Sequence, residues 1–250
     1  MPTPLVPLTR WPGPDTTGVP ANTVLTPSGS LELRRDGQVI TNLNITGRVS
    51  VYARNVTIRR SRITSDGATF PIRTFDPAVN LVVEDVEIDG RGRSPVGVCF
   101  DDFTLRRVNL HHVQDGLWIG SRVNVVDSWI HDLVRVPGSH NDCVRVVGVG
   151  DVVLRHNRLD AYRPSTSEAM NSCLALGLAV HNLRVEENYC DGGNYTISIR
   201  PDLAASAVAF RRNVFGRHHR TGIIARPVHR GLTWERTNVW FDNGQPVGHE

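Results

Sequence analysis

A chain of 250 residues with 40% hydrophobic and 21% charged side chains can build a buried core, which excludes an intrinsically disordered polypeptide. The net charge of +3 comes from acids and bases mixed along the chain without a long basic run, so no nucleic-acid partner is expected. All 28 Lys+Arg positions are arginine, which excludes chemistry built on a lysine base or Schiff base, and no apolar run is long enough to span a membrane.

The chain opens on MPTPLVPLTRWPGPDTTGVP, which is Pro-rich and lacks the basic start and apolar stretch of a secretory signal. Residues 1–30 are read as this segment and an N-terminal cap, and residues 31–250 as one domain.

The organising feature is an internal repeat. VTIRRSRI starts at Val56, LVVEDVEI at Leu81, FTLRRVNL at Phe103 and VNVVDSWI at Val123. VVLRHNRL follows at Val152, LRVEENYC at Leu183, VAFRRNVF at Val208 and LTWERTNV at Leu232. Each unit starts with the alternation of a half-buried strand and continues through a polar pair, often with Asn or Ser, to a further apolar residue. A second short strand precedes several units: VGVCF, DGLWIG, DCVRVVG, SCLALG and YTISIR. Helical periodicity is absent. The pattern predicts an all-β fold, a right-handed single-stranded parallel β-helix of about eight coils. A Greek-key sandwich explains the in-register motif less well. The coils from Val123 and Val152 are the longest, and their extra residues, among them DLVRVPGSH and AYRPSTSEAM, are expected to leave the solenoid on one side as a binding surface.

Aligning the second strands by their apolar residues puts Asp115, Asp142, Ser172 and Asn194 in one column, and Gln114, Asn141 and Asn171 in the preceding one. Leu117, Val144 and Leu174 then point inward, and Trp118, Arg145 and Ala175 outward. Polar side chains at a solenoid corner either form a ladder for turn backbone groups or carry chemistry. His140 has no ladder equivalent, so it is either a catalytic group or a solvated loop residue. Trp118 beside Arg145 suits a sugar platform or plain rim packing. His111, His112, Tyr162, Arg163, Glu168, Tyr195, Arg200, Arg217, His218 and His219 are expected on the same side. The arginine pairs Arg59–Arg60, Arg106–Arg107 and Arg211–Arg212 are read as a solvated face. Cys143 and Cys173 fall at equivalent positions of adjacent coils, as a disulfide or a buried thiol ladder, and Cys190 takes a core position. No CxxC pair occurs, so no metal ligand is assigned and no cofactor is expected. Asn44, Asn55 and Asn194 begin N-x-T triplets, read as strand-repeat asparagines.

TGVPANTVLTPSGSLEL, NVTIRRSRI, WIHDL, GSHNDC and the stretch from DGGNYTISIR through NVFGRHHRTG to NGQPVG resemble the actinobacterial right-handed parallel β-helix repeat proteins. The resemblance covers the chain from about Thr17 and implies the fold, and secretion, which the missing signal leaves open against a cytoplasmic location. This chain departs from the family pattern SHNDG at Cys143, and reads CLALGLAV where relatives carry an acidic segment. The architecture is similar to that of pectate lyases, polygalacturonases, alginate lyases and mannuronan epimerases, but no GHG motif and no acidic calcium cluster occurs. The expected function is carbohydrate-active, a lyase on an acidic, uronate-containing polysaccharide. His140 is its base and Asp142 orients it. Arg145 or Arg200 neutralises the uronate, and Tyr195 or His111 is the acid. Trp118, Tyr162, Arg163, Glu168, Asn171, His218 and His219 bind substrate. A hydrolase would pair Asp115 with Asp142. A non-catalytic glycan-binding or surface module, and an intracellular isomerase or cyclase on a small molecule, are the alternatives.

Overall fold

The computed structural model describes residues 7–225 and 230–248. Three sheets of parallel strands run along the molecule, and successive turns of the chain add one strand to each. Sheet I includes Asn109–His111, Trp129–His131, Arg158–Arg163 and Tyr189–Gly192. Sheet II includes Asp115–Ile119, Asp142–Val146, Ser172–Leu176 and Tyr195–Ile199. Sheet III includes Phe103–Arg106, Val123–Val126, Val149–Arg155 and Ala179–Glu186. This is the stacked parallel architecture that the repeat predicts. Sheets II and III each hold nine strands, one more coil than expected. The first coil lacks the motif: Thr26–Ser28 already pairs with Leu43–Thr46, inside the segment expected to be cap.

Each eight-residue motif is a sheet III strand, a sharp corner and a sheet I strand. The fifth residue makes the corner: Arg60, Asp85, Arg107, Asp127, His156, Glu187 and Arg212 have φ between 47° and 61°. The sixth turns inward and is buried: Ser61, Val86, Val108, Ser128, Asn157, Asn188 and Asn213, with Asn238, the seventh residue of the last motif, in the same place. The last four form an amide ladder. Asn188 Nδ2 donates to Leu154 O at 2.9 Å, and its Oδ1 accepts from Asn157 N at 2.9 Å and Asn157 Nδ2 at 3.0 Å. The ladder satisfies corner backbone groups that no strand partner reaches.

Inside, like stacks on like. Leu110, Ile130, Leu159, Cys190 and Phe215 form one buried column, and Leu117, Val144, Leu174, Ile197 and Ile224 another. Cys143 and Cys173 do lie side by side, but all four cysteines are free and buried, so the thiol ladder replaces the disulfide. Burial pushes the Cys143 thiol well above its usual range. The arginine pairs make ionic ladders on the outside: Arg107 reaches Asp85 at 2.6 Å, Arg211 reaches Glu186 at 2.7 Å, and Arg59 and Arg60 are exposed. Of the N-x-T asparagines, Asn55 accepts from Asn80 and Asn194 from Thr221, both rung-to-rung bonds.

The N-terminal segment does not cap the first coil. Residues 1–6 lie outside the described residues. Trp11 is buried against Tyr189, at 5.5 Å between rings, and its Nε1 donates to Glu187 O at 2.9 Å. Gly18 N then donates to Arg107 O. The segment is therefore a strap laid along the III–I edge, drawn there by the indole, whose burial needs an aromatic niche that the first coil does not offer. At the other end the tail folds back. Val247 is buried, and Trp234 Nε1 donates to its carbonyl at 3.0 Å. No helix of the described residues is long and apolar enough to cross a membrane.

Candidate functional site

The residues singled out from the sequence divide between two faces. His140, Asp142, Arg145, Asn171 and Arg200 line a cleft of about 330 Å³ on sheet II. His111, Tyr162 and His218 stand on the sheet I side. The convergence expected of them does not occur, because the strand bearing Asn109–His111 and the strand bearing Asp115–Ile119 face different directions around the coil.

On sheet II the polar groups satisfy one another. Asp142 is fully buried, and its Oδ1 accepts from Asn171 Nδ2 and Ser172 Oγ, each at 2.6 Å. Its Oδ2 accepts from Arg145 Nη2 at 2.9 Å. Asp115 accepts from Asp142 N at 2.9 Å and from Trp118 Nε1 at 2.6 Å. Burial, with the neighbouring Asp142 charge, raises the Asp115 pKa. All four carboxylate oxygens are thus occupied, and Arg145 bridges the pair, lying 3.6 Å from Asp115 and 5.6 Å from the Trp118 ring. This is a structural corner, and the hydrolytic pairing of Asp115 with Asp142 has no free oxygen to act with. His140 is exposed and makes no hydrogen bond to Asp142 among the described residues, so Asp142 does not orient it. Arg200 is exposed and paired with Asp202 at 2.9 Å. Tyr195 is not part of the cleft lining. It pairs with Gly222, and the Leu174–Ile197 register sets Tyr195, not Asn194, opposite Ser172. The corner from Asp191 to Tyr195 has the same length as that from His111 to Asp115, so Tyr195 takes the column place and Asn194 falls one residue short of it.

Sheet I carries a different arrangement. The residues directly after each motif face outward in one column: Thr64, Asp89, His111, His131, Asp160, Asp191 and Gly216. Around Asp160 and Asp191 lies a cavity of about 620 Å³. Leu8 of the strap forms one wall, Tyr162 and Pro164 of a long I–II loop another, and Phe241 with Asp242 closes one end. The loop is braced by the hairpin pairing of Tyr162–Arg163 with Glu168–Ala169 and by the Glu168–Arg135 ion pair. Arg163 lies 3.7 Å from Asp132.

Within the cleft, Asp160 Oδ2 accepts from Trp129 Nε1 at 2.9 Å and lies 2.8 Å from Arg158 Nε. Its Oδ1 has no hydrogen-bond donor among the described residues. Burial pushes the Asp160 pKa up to about 7, with Arg158 opposing. Asp191 pairs in register with Asp160, one rung of about 4.8 Å away. Asp191 Oδ1 accepts from His218 N at 3.1 Å, and its Oδ2 lies 2.7 Å from His218 Nδ1. That contact fixes the tautomer: Nδ1–H donates to the carboxylate and the Nε2 lone pair is presented outward. The imidazole stacks on Tyr162 at 4.1 Å and is about half exposed. His219 sits beside Trp240 at 5.9 Å, its buried Nδ1 unpartnered among the described residues, and burial lowers its pKa. A carboxyl protonated near neutrality, a carboxylate-backed imidazole and a guanidinium therefore share one aromatic-walled cleft, which is a general acid, a general base and an anion contact. Of these, sequence reasoning singled out Tyr162 and His218 as binding residues and missed Trp129, Arg158, Asp160, Tyr189 and Asp191.

No family model matches the chain, and no curated protein and no solved structure matches it.

Proposed function

We propose that the sheet I cleft is the active site of a lyase acting on an acidic, uronate-containing carbohydrate. The observation that carries the reading is the Asp191–His218 pair standing one rung from Asp160 in the same cleft. His218 Nε2 removes the proton α to the uronate carboxylate. The electron pair forms the C4–C5 double bond as the C4–oxygen bond breaks, and Asp160 gives its proton to the departing oxygen. The step leaves His218 protonated and Asp160 ionised, and exchange with water restores both. Arg158 stands over Trp129 at 5.0 Å and loses its counter-charge whenever Asp160 is protonated, which frees it to meet the substrate carboxylate. Tyr162, stacked on His218 by one face, offers ring surface to the sugar from the cleft wall. In this reading the chemistry expected from the sequence is kept, and the base moves from His140 to His218, its orienting carboxylate from Asp142 to Asp191, the acid from Tyr195 or His111 to Asp160, and the anion contact from Arg145 or Arg200 to Arg158.

The test is a panel of uronate-containing polysaccharides followed by absorbance of the unsaturated product. His218→Ala and Asp160→Asn are expected to abolish it, and His140→Ala to leave it. Absorbance that needs His140 and not His218 overturns the site. Binding without product supports a glycan-binding module instead. New reducing ends without unsaturation point to hydrolysis by Asp160 and Asp191, whose rung spacing is near the roughly 5 Å of retaining pairs. Silence on every polymer turns the search to small molecules.

A further inference from the structure

Away from the Asp160 cleft, sheet I gathers a second set of groups that the lyase reading does not use. His111 Nδ1 lies 2.8 Å from His112 Nδ1. Asp89 Oδ1 lies 3.1 Å from His112 Nδ1 and 3.8 Å from His111 Nδ1. The three atoms form a triangle whose edges bracket the separation of ligand atoms in a tetrahedral zinc site, about 3.3 Å for bonds of 2.0–2.1 Å. We infer that Asp89, His111 and His112 form a binding site for a divalent transition cation of the zinc class, with one coordination position open to solvent.

The fold presents these three groups on purpose-built positions. Asp89 and His111 are register partners on adjacent rungs, both facing outward. His112 follows at the I–II corner, with φ 52°, in line with Asp132 at 47° on the next coil. That left-handed turn swings the His112 ring back over His111, with centroids 4.6 Å apart at 83°. The two imidazoles meet edge-on with their Nδ1 atoms at hydrogen-bond distance, and both lie within 3.8 Å of Asp89 Oδ1, so one cation can take the place of the shared proton. Glu87 Oε1 lies 3.6 Å from His111 Nε2, on the far side of the ring. A carboxylate behind a ligating histidine holds the ring and keeps its other nitrogen unprotonated toward the metal. Asp89 Oδ1 is itself held by the backbone N–H of Arg91 at 2.8 Å. His131, the next residue in the column, is excluded as a ligand because Asp132 and Asn109 occupy its two nitrogens at 2.7 Å and 2.8 Å. Two imidazoles and one carboxylate suit zinc, cobalt or nickel far better than calcium or magnesium, which prefer oxygen ligands. The sequence reading assigned no metal because it looked for cysteine spacing. The ligand set comes from two coils and no contiguous motif encodes it.

The site is tested with the metal alone, so it stands or falls independently of the lyase reading. The full chain is titrated with cobalt(II) at neutral pH by calorimetry and by visible absorption, then competed with zinc(II). One cobalt per chain, with the d–d bands of a four- or five-coordinate nitrogen and oxygen site, is expected. His112→Asn is the first variant, since asparagine tolerates the left-handed corner. Asp89→Asn is the second, since its amide oxygen still accepts from Arg91. Each should weaken binding about tenfold or more while the far-ultraviolet circular dichroism stays that of the parent. Zinc should also raise the melting temperature of the parent and not of either variant. Binding below one per chain, binding indifferent to both substitutions, or a sulfur-to-cobalt charge-transfer band, which would mean that cysteine thiols and not these side chains hold the metal, each overturns the inference.

Discussion

The Asp160 carboxyl makes stability depend on pH in a direction opposite to that of most carboxylates. Folding holds it at about 7 in place of 3.8 because burial penalises its charge more than Arg158 rewards it. Below about pH 4 the group is protonated in both states and contributes no slope. Between about 4 and 7 the unfolded chain releases the proton while the folded chain keeps it, so this residue's contribution to stability falls as pH rises. Above 7 both states are ionised and the loss is complete, on the order of 4 kcal/mol at roughly 1.4 kcal/mol per pH unit. Asp160→Asn removes the titration and retains an oxygen for Trp129 Nε1. The variant should match the parent near pH 4 and exceed it increasingly toward pH 8. Urea unfolding at half-unit steps from pH 4 to 8 measures the difference directly. Difference curves that stay flat across that range would refute the burial argument, and with it the assignment of Asp160 as a proton donor at neutral pH.

Gly216 supplies a second check on the cleft, since a Cβ there would lie 2.1 Å from Asp191 Oδ1. Gly216→Ala should push the carboxylate off His218 and lower turnover on the substrate identified by the polymer panel, with far-ultraviolet circular dichroism little changed; full activity would mean that the Asp191–His218 contact is dispensable. Asn188→Ala deletes both arms of a fully buried amide and strands Leu154 O and two donors of Asn157, a loss on the order of 4 kcal/mol by chemical denaturation. A loss under about 1 kcal/mol would show that the corner ladder is ornamental. All four thiols are free and buried, so a thiol reagent should titrate none in the native protein and four in denaturant. Two or fewer in denaturant would place a disulfide where the thiol ladder stands.

The interior of this molecule was legible because a solenoid repeats its local rules. The alternation of Val152 with Leu154, the left-handed corner at His156 and the inward Asn157 recur coil after coil, and periodicity alone exposes them. The Trp118–Arg145 contact and the Asp115–Asp142 column were read correctly from the second strands. The outward column of sheet I was equally present in the sequence, as the residue after each motif. It reads Thr64, Asp89, His111, His131, Asp160, Asp191 and Gly216, each one residue beyond the eight-residue motif that the repeat exposes, and His111 alone of them is a predicted site residue. What no periodicity encodes is which outward column becomes a cleft. That depends on Trp11 of the strap finding Tyr189 and on the loop after Arg163 folding back through Glu168, contacts between segments far apart in the chain.

Two pairs of aspartates on adjacent rungs are satisfied in different ways, and the difference supports the proposed site. Stacking places like charges about one rung apart at both sites, and both pairs are largely buried. On sheet II the repulsion is relieved inside the protein, since Arg145, Asn171, Ser172, Trp118 and the Asp142 backbone occupy every oxygen of Asp115 and Asp142. Such a pair is a structural element whose function is complete once folded. On sheet I the relief is partial. Asp191 is served by His218, while Asp160 keeps one oxygen without a donor and responds by holding a proton. A stack of amides at that position would have cost less, as the Asn157–Asn238 ladder shows a few residues away. A buried carboxyl left under-satisfied beside a cleft is a cost that packing does not require, and proton transfer to a ligand in that cleft is the use we propose for it.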